Sequence, residues 1–226
     1  MSPINKKMTL PSHSALSPNP TTAAGSLRSL PGIFLRNFLL YDGTIGNGKT
    51  TMFRLILGLE RPDSGVILFG TSAGDTGNND IKASSGMVSK SDPCRIRGMR
   101  PLISAVFQEN RLLEGYTAIE NLRFALGKRY SSEALTAYLL RLLPEDALSK
   151  PVCEFSGGMK RRVAILRAIL APTDIILMDE PFTGLDADTR QLTIDLVKEL
   201  CAGKLLIIAT HAEDDAELLG AKIIHL

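Results

Sequence analysis

Residues 41–51 read Tyr-Asp-Gly-Thr-Ile-Gly-Asn-Gly-Lys-Thr-Thr, and this stretch is the most informative pattern in the sequence. It fits the pattern G-x-x-x-x-G-K-[ST], in which glycines let the backbone turn tightly around an anion and point its N–H groups inward. The apolar run Phe38 to Tyr41 precedes it as a buried strand should, and apolar residues recur at helical spacing after Lys49. The pattern therefore predicts a strand, a phosphate-binding loop (P-loop) and a helix in that order, rather than an accidental glycine-rich turn.

The loop also predicts how a nucleotide would be held. Lys49 can reach the β- and γ-phosphates, and the Thr50 hydroxyl can ligate Mg²⁺. A helix that begins near Lys49 would add the positive end of its dipole to the same point. The residues that we expect to contact the nucleotide here are Gly43, Thr44, Ile45, Gly46, Asn47, Gly48, Lys49, Thr50 and Thr51.

A second apolar run, Ile175 to Met178, ends in the carboxylates Asp179 and Glu180. A strand that ends in a carboxylate is the partner a P-loop needs, because Asp179 could hold Mg²⁺ opposite Thr50. Glu180 could face the attacking water as a general base or orient it. Taken alone, this run could also be a strand that ends in solvated acids, and the P-loop upstream favours the functional interpretation.

The bulk properties exclude several classes of protein. The chain has 226 residues, 44% of them hydrophobic, and a net charge of +2. These values indicate one large soluble domain, or one domain with a small subdomain, and argue against a nucleic-acid partner. The three cysteines show no C-x-x-C spacing, so we expect reduced thiols of a cytosolic protein.

The order of patterns along the chain predicts an α/β fold. Residues 1–32 are rich in Ser, Pro, Thr and Ala and are expected to form a flexible or degenerate arm. Strands and helices alternate over 33–226, which predicts a mainly parallel sheet flanked by helices. Helical patterns over about 109–160 indicate an inserted α-helical subdomain. Further predictions are a surface insertion at 71–100, strands at 102–107, 174–179, 204–210 and 222–226, and helices at 189–200 and 214–219.

The run Phe155-Ser156-Gly157-Gly158-Met159 is similar to the signature motif, L-S-G-G-Q, of ATP-binding-cassette (ABC) ATPases. Ser156 is a good helix N-cap, and the glycines after it leave helix N–H groups bare for an anion. Together with the two stretches above, this run makes the chain resemble the nucleotide-binding subunit of an ABC transporter. The resemblance implies a P-loop NTPase fold, ATP and Mg²⁺ as ligands, and nucleotide contacts from Ser156, Gly157 and Gly158.

Other elements of the same family occur in the expected order. Gln108 matches the Q-loop glutamine, which touches Mg²⁺ and the attacking water, and Gly184-Leu185-Asp186 matches the D-loop. His211 matches the switch histidine, which contacts the γ-phosphate. The resemblance thus implies a catalytic group of Glu180, His211 and Gln108, and a metal site formed by Thr50, Asp179 and Gln108.

The resemblance also implies partners and a location. The implied partners are transmembrane permease subunits and a second ABC ATPase subunit, which would be identical to this chain or different from it. An importer would also have a solute-binding protein. Nitrate, sulfonate and taurine importers look most similar, and the subunit would be cytoplasmic and peripheral on the inner face of the cell membrane. A regulatory or degenerate nucleotide-binding subunit with little hydrolysis remains the alternative, because residues 22–26 lack the adenine-stacking aromatic that the family has upstream of the P-loop.

Overall fold

The computed structural model describes residues 38–41, 49–60, 101–212 and 214–225. The predicted arm (1–32), the glycine-rich part of the P-loop (42–48) and the predicted insertion (71–100) lie outside these ranges. Within them, strands and helices alternate as the sequence predicts. The elements are β1 (Phe38–Tyr41), α1 (Lys49–Leu57), β2 (Ile103–Val106), α2 (Ala118–Leu126), α3 (Ser132–Leu140), α4 (Gly157–Leu170), β3 (Ile175–Asp179), α5 (Ala187–Leu200), β4 (Leu205–Thr210), α6 (Asp214–Leu219) and β5 (Lys222–His225).

The described strands form a five-stranded sheet in the order β2-β3-β4-β1-β5, and every neighbouring pair is parallel. Tyr41 at the end of β1 pairs with Thr210 of β4, and Asp179 at the end of β3 pairs with Ala209. The carboxyl ends of these strands therefore lie side by side at one edge of the sheet. Glu180 and His211 follow β3 and β4 directly and so lie at that edge, which is where open α/β sheets bind their ligands.

Strand β3, which lies between β2 and β4, is buried on both faces, as a strand inside a parallel sheet should be. Ile176 and Met178 belong to a large apolar cluster that includes residues of α2, α3, α4 and α5. Ile175 and Leu177 belong to a second cluster, with Phe53 of α1. Because successive side chains of a strand point to opposite faces, helices cover the sheet on both sides.

Local capping signals determine where the helices around the site begin. α2 starts with a capping box, in which Thr117 Oγ1 accepts from the Glu120 N–H and the Glu120 carboxylate accepts from the Thr117 N–H. α5 starts at Ala187, two residues before the predicted boundary at Thr189, because Asp186 caps it by accepting from the Thr189 N–H at 2.9 Å. In the part of the chain that the structure describes, none of the helices combines the length and hydrophobicity of a membrane span.

Candidate nucleotide site

The first turn of α1 meets the end of β3 through a hydrogen bond between two predicted metal ligands. Thr50 Oγ1 donates to Asp179 Oδ2 at 2.6 Å, although 129 positions separate the residues in sequence. Lys49, which precedes Thr50, is buried with only 8% of its surface exposed, and Asp179 is exposed by 4%. The structure thus brings the predicted phosphate-binding lysine and both of these metal-ligand candidates into one corner.

The chemistry of this corner fits Mg²⁺ bound together with a nucleotide. A hydroxyl and a carboxylate supply the hard oxygen ligands that Mg²⁺ prefers, and Mg²⁺ usually takes its other ligands from water and substrate phosphates. Within the described ranges, no group of three or more His, Cys, Asp or Glu side chains could hold a metal ion by itself. We expect this for a site that substrate phosphates must complete.

The carboxylate of Glu180 is held between two side chains. Thr183 Oγ1 donates to Oε2 at 3.0 Å, and His211 Nε2 lies 3.3 Å from Oε1. Oε1 is nevertheless buried and, among the described residues, accepts no hydrogen bond. A buried carboxylate oxygen with spare acceptor capacity is what a water to be activated would require.

The segment between β4 and α6, which contains His211, is held in place by Asp215, a residue that the sequence analysis did not identify. Asp215 of α6 accepts from Thr210 Oγ1 at 2.7 Å and from Arg190 Nε of α5 at 2.9 Å. The Ala212 N–H in turn donates to Thr210 Oγ1 at 3.1 Å. Because Thr210 and Asp215 are both buried, β4, α5 and α6 together set the position of the histidine between them.

The signature run forms an open helix start. Ser156 caps α4 by accepting from the Met159 N–H at 3.3 Å, and Ser156 and Gly157 are both exposed. A Cβ added at Gly157 would meet no atom within 4 Å, whereas one added at Gly158 would lie 3.2 Å from Leu185 Cδ2 in the predicted D-loop. The exposed face of this helix start is therefore available to a group from outside the chain.

The other predicted site residues have less defined surroundings. Gln108 follows β2 by two residues and is exposed, and its carbonyl, not its side chain, accepts from Arg161 Nη1 at 3.3 Å. Thr51 is exposed on α1. The predicted contacts from Gly43, Thr44, Ile45, Gly46, Asn47 and Gly48 lie outside the described residues.

Arg161 is the functional candidate that the sequence reasoning did not single out. It lies on the buried face of α4, because Ala164, Ile165 and Ala168 follow it at helical spacing and are all buried. Burial lowers the pKa of its guanidinium, while the nearby charges of Asp179 and Glu180 raise it. The signal that could have revealed it was a basic residue at an apolar-face position of an otherwise regular amphipathic helix.

A parallel sheet whose strand ends carry a lysine–threonine helix start and an aspartate–glutamate pair defines a P-loop NTPase. Comparison with known families gives the narrower class, because the ABC transporter family matches residues 39–183. The chain belongs to the ABC transporter family.

Individual relatives agree with this family. The ergothioneine transport ATP-binding protein EgtV of Helicobacter pylori is 31% identical over 201 residues, which cover 84% of each chain. The taurine import ATP-binding protein TauB of Jannaschia sp. is 34% identical over 191 residues, which cover 80% of this chain and 62% of the relative. The Nod factor export ATP-binding protein I of Burkholderia orbicola is 34% identical over 183 residues, 78% of this chain and 54% of the relative. The chain thus spans about half the length of this last relative.

Solved structures show the same architecture. The dimeric bacterial ABC transporter cassette MJ0796 matches with a TM-score of 0.61 and 29% sequence identity, over 84% of this chain and 81% of that chain. Its dimeric post-hydrolysis state, bound to ADP and phosphate, matches with a TM-score of 0.62 at 28% identity and the same coverage. These matches agree with the α/β fold of the P-loop NTPases that the sequence predicts.

Proposed function

We propose that this chain is the ATP-binding and ATP-hydrolysing subunit of an ABC transporter, and that hydrolysis drives solute movement through membrane partners. The observation that carries the proposal is the 2.6 Å hydrogen bond between Thr50 and Asp179. It joins the end of the P-loop to the end of β3 and leaves Glu180 at the next position. Membership of the ABC transporter family supports the same function.

Each residue of the site has a separate task in this proposal. Lys49 attracts the β- and γ-phosphates. The oxygens of Thr50, Asp179 and Gln108 would hold Mg²⁺, which would supply positive charge beside the transferred phosphoryl group. Glu180 Oε1 accepts a hydrogen bond from the attacking water and draws its proton. His211, 3.3 Å from that oxygen, contacts the γ-phosphate and keeps the carboxylate oriented.

A second subunit completes the site. Ser156, Gly157 and Gly158 leave the start of α4 open, and a helix N-terminus with bare N–H groups is suited to an anion. In a dimer, this helix start would close on the γ-phosphate held by the P-loop of the other subunit. The dimeric cassette with the same fold supports this arrangement.

The helical subdomain, about 109–160, supplies a surface for the permease. Leu113, Tyr116 and Phe124 are exposed there, and the Tyr116 and Phe124 rings stack edge to face with centroids 5.1 Å apart. Large exposed apolar groups that lie together mark an interaction surface. We propose that this surface binds a cytoplasmic segment of the permease, which would place the subunit on the inner face of the membrane.

The transported solute is selected by other subunits of the transporter. The relatives are named for ergothioneine, taurine and Nod factor, and they include both import and export proteins. Because one type of ATP-binding subunit serves such different solutes, we assign cargo recognition to the permease and, in an importer, to a solute-binding protein.

Phosphate release by the purified chain tests the proposal. We expect Mg²⁺-dependent release that Glu180→Gln reduces by about 10²-fold or more, because the substitution removes the group that accepts the proton of water. ATP binding should persist in the variant, and the exposed Glu145→Gln should behave as the unsubstituted chain. Equal phosphate release by Glu180→Gln would contradict the proposal and favour a regulatory or degenerate subunit.

A further inference from the structure

The guanidinium of Arg161 joins two segments of the site through their backbone. Nη1 donates to the carbonyl oxygens of Phe107 and Gln108, the latter at 3.3 Å, just after β2. Nη2 donates to the carbonyls of Asp179 and Glu180, the latter at 2.7 Å, and Nε donates to the Pro181 carbonyl at 3.1 Å. One side chain of the signature helix α4 thus holds the ends of both β2 and β3.

The chemistry of these contacts indicates a positional role. Arg161 is only 5% exposed, and within the described ranges its hydrogen bonds go to carbonyl and amide oxygens, including Asn110 Oδ1 at 3.3 Å, rather than to a carboxylate. A buried charge without an ion-pair partner is expensive to keep unless many acceptors surround it. A guanidinium has five donors fixed in one rigid plane, whereas lysine offers three donors on a single nitrogen and glutamine offers two, so neither can span the ends of two strands in the same geometry.

The same contacts stabilise an unfavourable backbone conformation. Glu180 has a φ of 49°, in the left-handed region that glutamate rarely adopts. Such a residue keeps this conformation only where its surroundings hold it. Arg161 binds the carbonyl of Glu180 and the carbonyls on either side of it, so it fixes the direction in which the Glu180 side chain leaves the backbone.

We propose that Arg161 is a positioning residue for ATP hydrolysis. It ties the backbone of Glu180 and the segment that starts at Phe107 to helix α4, so that a movement of the signature helix moves both. This inference rests on the proposed function, because it assigns Arg161 a part in the hydrolysis that Glu180 performs.

Kinetics of three variants test the inference. Arg161→Gln should lower kcat by about 10- to 100-fold, the range seen when groups that orient functional side chains are removed. The ATP concentration at half-maximal rate should change by less than about threefold, because the lost contacts do not touch the nucleotide. Arg161→Lys should give an intermediate kcat, since lysine keeps the charge without the planar fork.

Arg167→Gln is the matched control. Arg167 lies on the same helix, is partly buried and donates to the carbonyls of Asn110 and Arg111, but it makes none of the contacts to β3. We expect this variant to lose stability as Arg161→Gln does and to keep kcat near that of the unsubstituted chain.

Amide hydrogen exchange gives a readout that needs no hydrolysis. Arg161→Gln should speed exchange over residues 179–183 well beyond Arg167→Gln, because only the former releases the end of β3. If both variants kept the exchange rates of the unsubstituted chain and its kcat, the inference would be wrong. If the unsubstituted chain released no phosphate while exchange changed as expected, the proposed function would fail and the positional role of Arg161 would stand.

Discussion

In the part of the chain that the structure describes, a strained backbone residue lies in the candidate nucleotide site. Glu180 and Arg111 are the non-glycine residues with positive φ in the described ranges, at 49° and 46°. Each such residue costs about 1–3 kcal/mol and persists where neighbouring contacts determine it. Glu180 follows the metal-ligand candidate Asp179, and Arg111 follows the Q-loop residue Gln108 by three positions. The strain at Glu180 therefore lies where the proposed mechanism needs fixed geometry.

A buried thiol at the end of α5 predicts how stability depends on pH. Cys201 is buried in the large apolar cluster, and this burial raises the pKa of its thiol from about 9 to about 12. The folded chain keeps the thiol protonated, whereas the unfolded chain loses this proton above about pH 9. The stabilising contribution of Cys201 is thus fully present below about pH 9 and is lost as pH rises towards 12.

We therefore expect Cys201→Ala to flatten the alkaline fall in stability. Up to about 1.4 kcal/mol of the free energy of unfolding should disappear per pH unit above about pH 9 in the unsubstituted chain, and this part should be absent in the variant. Urea unfolding of both proteins at about pH 8 and about pH 10 measures the difference. Deleting the sulfur lowers stability at both pH values, so the diagnostic quantity is the change between them. Parallel falls would show that Cys201 does not titrate in this way.

At the scale of elements, helix α4 is anchored at one end and open at the other. Lys204 Nζ donates to the carbonyls of Ile169 and Ala171 at 2.7 and 3.0 Å, and Tyr130 Oη donates to the Leu170 carbonyl at 3.2 Å. These bonds satisfy carbonyl groups that a helix end leaves without partners. At the N-terminus of α4, the Ser156 side chain caps one backbone N–H group, that of Met159. The other N–H groups of this first turn and the positive end of the helix dipole face outward.

This asymmetry predicts opposite effects of Gly157→Ala on stability and on activity. Gly157 is helical and open to solvent, so alanine should raise the free energy of unfolding by about 0.4–1 kcal/mol by restricting the unfolded chain. Its methyl group would occupy the surface that we assign to the γ-phosphate, and a misplaced reacting group can lose up to about 10²-fold in rate. Urea unfolding and phosphate release measure the two effects.

Gly115→Ala serves as the control for this prediction. A Cβ at Gly115 also meets no atom within 4 Å, and Gly115 makes no proposed nucleotide contact. Its phosphate release should match that of the unsubstituted chain. If Gly157→Ala retained full activity as well, α4 would not present its start to the nucleotide.

The sequence predicted those strands, helices and site residues that are marked by a pattern within a short stretch of the chain. Apolar runs that end in polar residues located β2, β3 and β4, and motif spacing placed Thr50, Asp179, Glu180 and His211 at one edge. Arg161 and Asp215 could not be recognised in this way, because their partners come from distant segments and depend on which strands lie side by side. The start of α5 was misplaced by two residues because the D-loop Asp186 is also its N-cap.

The proposed nucleotide site is divided into two incomplete halves within the chain. The strand order sets β3, β4 and β1 next to one another, so Lys49, Asp179 and His211 follow adjacent strands. The signature start of α4 is exposed and, among the described contacts, Ser156 forms no hydrogen bond with the Thr50–Asp179 pair. We propose that a nucleotide which contacts both halves lies between two subunits.

This division predicts that ATP controls the oligomeric state. A ligand favours whichever state it binds better, and only a dimer lets Ser156 of one subunit and Lys49 of the other contact the same triphosphate. Glu180→Gln should therefore be dimeric with ATP and Mg²⁺, because binding continues while hydrolysis stops, and monomeric with ADP or without nucleotide. Light scattering after size exclusion measures the mass. The double variant Gly157→Ala, Glu180→Gln should bind ATP and remain monomeric. If the single variant Glu180→Gln bound ATP and also stayed monomeric, the site would not be shared between identical copies.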